Sequence, residues 1–441
     1  MKKTVCILFL AFAAVPLLAQ ERWTMDRCMQ YAVDHSNDVR RQQLEAAQRR
    51  YDERAARLGL LPTVGAQVSA QYSWGRNIDP ETNTYNTITT FNNYYSVGAE
   101  LPLFDGGRTW NAFRQARLAR ARSLSALQQA ADDKAIAVMA CFVEAVYNQQ
   151  TIALAERKLA QSQALLLKTR RQYELGQKAR PDVVQVESQV ADDDYNLLRQ
   201  HNQAQLSLLA LKAAMNYPVA DTLLLDTAVA VRHASPVHAE TLYDGFGATA
   251  PQVQTARYNV EEARLNYRIQ RAALLPTLSL GGGVSTNYYR NLSQGSGRTD
   301  GFGRQFNNNM GEFVSLSLSI PIFDPSRWRA ARQAKTAWLE ARLTLDDARR
   351  KLHDDIVQAV LQRDGAAREL VKMERKVAAD SLAWHLSARQ YEEGMRTAYD
   401  LRMAAQTWLE SSISLLQMRL TLEMKERLVN YYQGNRPWIL K

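Results

Sequence analysis

Leu60-Leu61-Pro62-Thr63-Val64-Gly65-Ala66-Gln67-Val68-Ser69-Ala70-Gln71-Tyr72-Ser73-Trp74 combines a proline break with strict alternation. Val64, Ala66, Val68, Ala70, Tyr72 and Trp74 share one face at period two. Thr63, Gly65, Gln67, Ser69, Gln71 and Ser73 share the other. That spacing predicts a strand with one apolar face. A returning strand puts Tyr95, Val97, Ala99, Leu101 and Leu103 opposite Ser96, Gly98 and Glu100.

The same passage occurs twice. Leu60-Leu61-Pro62-Thr63 recurs as Leu274-Leu275-Pro276-Thr277, and Leu101-Pro102-Leu103-Phe104-Asp105 recurs as Ile320-Pro321-Ile322-Phe323-Asp324. Further on, Arg171-Gln172-Tyr173-Glu174-Leu175-Gly176 recurs as Arg389-Gln390-Tyr391-Glu392-Glu393-Gly394. The offsets of 214, 219 and 218 keep order and register, the signature of an internal duplication. We therefore divide the chain into a leader at 1–19, a first repeat at 20–215, a joint at 216–250 rich in Pro, Asp and Gly, and a second repeat at 251–441.

Each repeat follows one plan. A helical stretch (Met25 to Leu61, Val253 to Leu275) meets the Leu-Pro-Thr break, and two strands flank a polar loop (Gly75 to Asn93, Tyr289 to Gly311). In the second repeat Leu278, Leu280 and Val284 face away from Ser279, Gly281, Gly283 and Ser285. Val314, Leu316, Leu318, Ile320 and Ile322 likewise oppose Ser315, Ser317 and Ser319. A very long helix then follows. From Pro102 to Pro181 there is no intervening proline, and the glycines are Gly106, Gly107 and Gly176. A helix from Thr109 to Leu175 would be roughly 100 Å long.

Strands of about ten residues suit a tilted crossing of a bilayer. Small uncharged Ser, Gly and Gln suit a wet lumen, and Tyr72, Trp74, Tyr95 and Tyr288 sit where an interfacial girdle would lie. A half-buried soluble sheet shows the same period. Four strands cannot close a barrel, since membrane barrels need about eight or more. A membrane reading therefore requires several chains to pool their strands, because open edges in lipid leave backbone groups unpaired.

Ile152, Leu159, Leu166 and Tyr173 are spaced by seven, as are Leu370, Val377, Trp384 and Tyr391. Val183, Val190, Leu197, Ala204 and Leu211 continue the rule after Gly176. Leu401, Trp408, Leu415, Leu422 and Val429 continue it after Gly394. Sevenfold apolar spacing supports left-handed supercoiling, so each repeat forms a helical hairpin turning at its glycine.

Lys2 and Lys3, the apolar run from Val5 to Leu18 and small Ala19 read as a secretory signal peptide cleaved after Ala19. Its removal leaves a net charge of about +8 from the formal +10. Lys and Arg are interspersed with Glu and Asp along helices, which describes a solvated face and not a nucleic-acid surface. Cys28 and Cys141 survive processing and make no disulfide framework.

Together these residues resemble the TolC-type outer-membrane efflux protein family over the whole mature chain. The resemblance lies in the opening Trp23-Thr24 to Cys28 with Tyr31-Ala32, both Leu-Pro breaks, Pro102-Leu103-Phe104-Asp105-Gly106-Gly107 and both glycine-centred tips. It implies a mainly α-helical homotrimer in which four strands per chain make one twelve-stranded membrane β-barrel. That barrel continues into a coiled-coil α-barrel tunnel reaching into the periplasm. It further implies an outer-membrane location and tips that dock a periplasmic adaptor linked to an inner-membrane pump. The implied role is the exit duct of a tripartite efflux pump for small molecules such as drugs. A protein-secretion duct of the same fold and a periplasmic coiled-coil adaptor are the alternatives.

Asp182 and Asp400 lie six residues after Gly176 and Gly394 and match acidic positions at the family's closed entrance. Tyr391 and Arg396 resemble the family's partners for Asp182, which implies a gate in which Asp182 bonds to both. An aspartate that opens a helix also meets the helix dipole and unpaired amides, and Pro181 fits a first helical turn. The family's second acid past Asp400 is Met403 here, so a single Asp400 ring is what the resemblance supports.

No Walker loop, dinucleotide turn or set nucleophile is present, and Gly281-Gly282-Gly283 lies inside a strand pattern. His233 and His238 flank Ser-Pro without Cys or carboxylate at zinc spacing. The reading is a channel without enzyme activity, cofactor or metal.

Overall fold

The structure, a computed structural model, describes residues 22–79, 83–228, 236–293 and 300–438. The signal-peptide reading and His233 lie outside these residues. The described elements are α1 (Met25–His35), α2 (Asn37–Leu58), β1 (Thr63–Asp79), β2 (Thr84–Phe104), α3 (Arg108–Glu174) and α4 (Arg180–Met215). They continue with α5 (Ala239–Phe246), α6 (Pro251–Ala272), β3 (Thr277–Asn291), α7 (Phe302–Asn308), β4 (Gly311–Ser319), α8 (Pro325–Glu392) and α9 (Ala398–Tyr432). Two compact units result, and each draws on both sequence repeats. One comprises residues up to 40, 130–246 and from 353 on; the other comprises 41–129 and 247–352.

The second unit holds a four-stranded antiparallel sheet in the order β1-β2-β3-β4. Its register aligns the faces read from the sequence. Val64 pairs with Ala99, Ala99 with Gly282 and Gly282 with Val314. Ala66, Val97 and Val284 form the next row, and Leu101, Leu280 and Leu316 another. The opposite face runs Gln67, Ser96, Ser285 and Thr63, Glu100, Gly281, Ser315. One face is thus mainly apolar across all four strands, with Glu312 closing the row of Ala66, Val97 and Val284, and the other is mainly small and polar, with Phe313 beside Gly283. Val68 (70% exposed), Trp74 (74%) and Val314 (83%) stand uncovered on the apolar side. A Cβ at Gly283 would lie 2.5 Å from the Val97 carbonyl oxygen, so glycine there lets β3 approach β2.

The loops differ from expectation. The stretch from Gly75 to Asn93 is mostly strand, with β1 reaching Asp79 and β2 beginning at Thr84. Thr84, Thr87, Ile88, Thr89 and Thr90 are β-branched, and their fit to a pleated backbone outweighs their polarity. Between Tyr289 and Gly311, β3 continues to Asn291 and α7 folds back on the sheet. Phe302 stacks edge-on to Tyr288 at 5.4 Å, and Phe306 to Tyr95 at 5.5 Å. In the same unit Arg122 meets Glu262 at 2.8 Å and Arg120 meets Glu53 at 2.8 Å.

The first unit is built from α1, the later parts of α3 and α8, and α4, α5 and α9. The expected single helix from Met25 to Leu61 is broken at Ser36, whose hydroxyl accepts the Asp38 N–H at 3.2 Å. Cys28, Met29 and Val33 are buried on α1, and Leu211 and Met215 on α4. Cys28 and Cys141 are both free, and burial pushes the Cys28 thiol up to about 12. Fully buried Asp132 accepts from Tyr431 Oη (3.0 Å) and Trp438 Nε1 (2.9 Å), with Arg436 at 3.3 Å. This carboxylate ties the segment after α9 to α3. Among the described residues no helix is long and apolar enough to cross a membrane.

Candidate functional site

The two hairpin tips are built alike. Gly176 (φ 74°) and Gly394 (φ 76°) adopt the left-handed conformation that closes each long helix. Gln177 N–H returns to Gln172 O and Met395 N–H to Gln390 O, both at 2.8 Å, the wide bond of a Schellman motif. Each outgoing helix then carries an aspartate at its third position, Asp182 in α4 and Asp400 in α9. Thr397 and Asp400 exchange a full capping box: Asp400 N–H to Thr397 Oγ1 (3.2 Å), Thr397 N–H to Asp400 Oδ2 (3.2 Å) and Thr397 Oγ1–H to the same oxygen (2.8 Å). These bonds hold the Asp400 carboxyl below the usual carboxylate range, the Thr397 hydroxyl contributing most. At the first tip the capping position is Ala179, which has no hydroxyl. The reciprocal half survives there, with Ala179 N–H donating to Asp182 Oδ2 at 3.1 Å.

Tyr391 is 2% exposed and packs with Val186, Ala398 and Leu401, flanked by Leu165, Leu166, Trp384 and Ala388. This small core joins the first hairpin to the second. The Tyr391 hydroxyl lies 3.4 Å from Thr169 Oγ1, and the Lys178 ammonium sits 4.4 Å from the centre of its ring. Lys168 adds an ion pair to Glu392 at 2.9 Å. Arg396 donates from Nε to Gln390 Oε1 at 2.8 Å.

Asp182, Tyr391, Arg396 and Asp400, the residues expected to gate, are therefore gathered at the tips but engaged differently from the expected trio. Among the described residues Asp182 bonds to neither Tyr391 nor Arg396. Its carboxylate is turned to the amide of its own helix start, and Arg396 is held by the helix it follows. The contacts that join the hairpins, Thr169 and Lys178 on Tyr391, were not singled out for this role in the sequence. A second link was invisible there: Lys158 on α3 meets Asp193 on α4 at 3.1 Å and donates to Gln406 on α9 at 2.7 Å. Lys158 and Asp193 have no motif, and one weak signal was a charged residue in an apolar helix seam. The described residues contain no group of three or more His, Cys, Asp or Glu able to hold a metal.

A duplicated chain with long helical hairpins and an open sheet that is apolar on one face defines a class, the outer-membrane exit channel. The sequence profile of the outer membrane efflux protein family matches residues 29–217 and 242–429, and the chain belongs to that family. Its members are channel proteins of efflux or secretion and not enzymes. The chain is 25% identical to the outer membrane efflux protein BepC of Brucella suis biovar 1 (strain 1330), over 80% of this chain and 73% of BepC. It is 23% identical to the alkaline protease secretion protein AprF of Pseudomonas aeruginosa, over 86% of this chain and 77% of AprF. The crystal structure of CusC shares the fold, with a TM-score of 0.79 at 17% identity over 93% of this chain and 92% of CusC. These matches remove the adaptor alternative.

Proposed function

We propose that three copies of this chain form the outer-membrane exit duct of a tripartite efflux pump, carrying small molecules such as drugs or toxic compounds. The observation that carries this reading is the sheet. β1 and β4 are unpaired edges beside a mainly apolar face, and in lipid such edges require partner strands. Three copies supply twelve strands, enough to close a barrel. The repeats at 20–215 and 251–441, joined at 216–250 in an equatorial belt, give the trimer sixfold-like walls. The helices extend into the periplasm, and the tips at Gly176 and Gly394 receive an adaptor linked to an inner-membrane pump.

Asp182, Tyr391, Arg396 and Asp400 form the gate in this reading. Tyr391 joins the hairpins within one chain, while Asp182, Arg396 and Asp400 act where the tips of three copies converge. Asp182→Ala should raise single-channel conductance in a planar bilayer; unchanged conductance leaves Asp182 a helix cap alone. A protein-secretion duct is the second reading, favoured by the likeness to AprF over 86% of this chain. A deletion strain separates the two. Lower tolerance of toxic small molecules supports efflux, whereas loss of proteins from the medium with unchanged tolerance supports secretion.

A further inference from the structure

Basic stripes run along the helices of the second unit where they adjoin its sheet. On α3 Trp110, Arg114 and Arg117 stand at i, i+4 and i+7, and Trp328, Arg332 and Lys335 of α8 repeat them at an offset of 218. On α2 Arg50, Arg54 and Arg57 have the same spacing, repeated by Arg264, Arg268 and Arg271 of α6 at an offset of 214. That spacing sets each trio on one helix face. All of these side chains are exposed, Trp110 at 54% and Trp328 at 53%. Among the described residues only Arg264 of these meets a carboxylate, Glu261 at 3.6 Å. From Arg108 to Ala131 α3 holds no acidic residue, unlike a solvated face of alternating charge.

The four stripes share one side of the helical wall. α3 meets α2 through Arg120 and Glu53 and α6 through Arg122 and Glu262, so its neighbours occupy opposite sides. At about 100° per residue, its stripe lies roughly a quarter-turn from the α2 contact. α6 meets α8 through Tyr267 and Trp338, and α2 and α6 run antiparallel to α3 and α8. The same construction turns every stripe to one side, off the seams between helices. The mainly apolar face of the sheet looks the same way. Thr89 O accepts from Leu292 N–H, so odd-numbered residues of β2 bond toward β3, and L-chirality fixes the side on which Val97, Ala99 and Leu101 project.

The order along the helix identifies the partner. Trp110 comes six residues after Phe104, and Arg117 lies about 10 Å further from the sheet. α8 repeats that order, tryptophan first and cations beyond. A bilayer surface has the same sequence of layers: an apolar core, an interface that favours tryptophan, then phosphates that attract arginine and lysine. We infer that this collar binds the phosphates of anionic phospholipids in the leaflet nearest the helices. The inference rests on the membrane seat proposed for the sheet and adds its lipid partner.

Native mass spectrometry of the detergent-solubilised full-length protein, titrated with dioleoylphosphatidylglycerol or dioleoylphosphatidylcholine, tests this. The two lipids share their acyl chains and differ in net charge. The anionic lipid should bind about tenfold tighter, and added salt should shrink that preference. Arg114→Gln with Arg332→Gln should remove most of the preference. Arg108→Gln with Arg329→Gln takes the same charge from exposed positions off the stripes and should preserve it. Equal binding of the two lipids, or equal loss in both double variants, would overturn the proposal. Equal lipid binding with an anion selectivity in planar bilayers that only the stripe variant loses would assign the stripes to the lumen, and overturns it too. Heat-modifiable trimer mobility reports the barrel separately, so equal lipid binding by an intact trimer sinks the collar and leaves the duct standing.

Discussion

Position 179 is alanine where its counterpart 397 is threonine, and one hydroxyl separates half a capping box from a whole one. Thr397→Ala should destabilise the start of α9 by about 1 kcal/mol. Hydrogen exchange would report it as faster exchange of the first-turn amides, and Ala179→Thr should slow the corresponding amides of α4. The Asp400 carboxyl is depressed by the same bonds, so its contribution is present above the ordinary carboxylate pKa and is lost as pH falls through the lower folded value. The α9 amides should therefore lose protection in that acidic window, and Asp400→Asn should show no such step. At the far end of α9, Tyr431→Phe removes a donor from buried Asp132 and should cost about 1–3 kcal/mol in thermal denaturation. These residues carry no motif for one another, and Asp132 and Tyr431 are about 300 positions apart in sequence.

The seams of the hairpins follow the sevenfold pattern closely, because apolar side chains at that spacing must meet a neighbouring helix or remain wet. Leu159, Val183, Leu211, Leu370, Tyr391, Leu401, Leu422 and Val429 are buried, and Trp384 stacks on Trp408 at 4.8 Å. Tyr173 is the exception at 41% exposed, although Tyr391 at the equivalent position is buried. Identical spacing thus gave one buried and one open tyrosine, since burial depends on what packs against the position. The Lys158–Asp193 pair interrupts the seam with charge. Asp193→Leu should destabilise the hairpins by about 1–3 kcal/mol in thermal unfolding, because it leaves half-buried Lys158 with Gln406 but without its counter-charge. The double change Lys158→Met with Asp193→Leu should recover most of that loss. If it recovers none, the pair is not the link that holds α3 to α4.

For the assembled molecule, the two faces of the sheet should tolerate charge very differently. Leu316 lies on the apolar face, and Leu316→Arg should cost about 2–4 kcal/mol if that face meets the bilayer core. Ser315, its neighbour on the small polar face, should accept arginine at little cost. Heat-modifiable mobility of the trimer on gels checks both, and a single monomeric band from wild-type membranes would count against three pooled sheets. Strand faces were legible in the sequence because period two survives any register that pairs like with like. Strand length was not: the threonine-rich stretch after Thr84 reads as a polar loop until its pairing with β1 satisfies the backbone.

The sequence by itself determined the duplication, the two-faced strands, the heptad hairpins and the glycines that turn them. Each follows from local geometry and from the exclusion of apolar side chains from water. Tertiary structure decided the partners of the polar groups. Asp182 turned to its own helix start, Tyr391 found Thr169 and Lys178, and Asp193 found Lys158. A charged or hydroxyl side chain bonds to whatever donor or acceptor the fold brings within about 3 Å, and no periodicity records that proximity. The repeat built two similar hairpins; the side chains that differ between them were assigned their contacts only when the hairpins packed together.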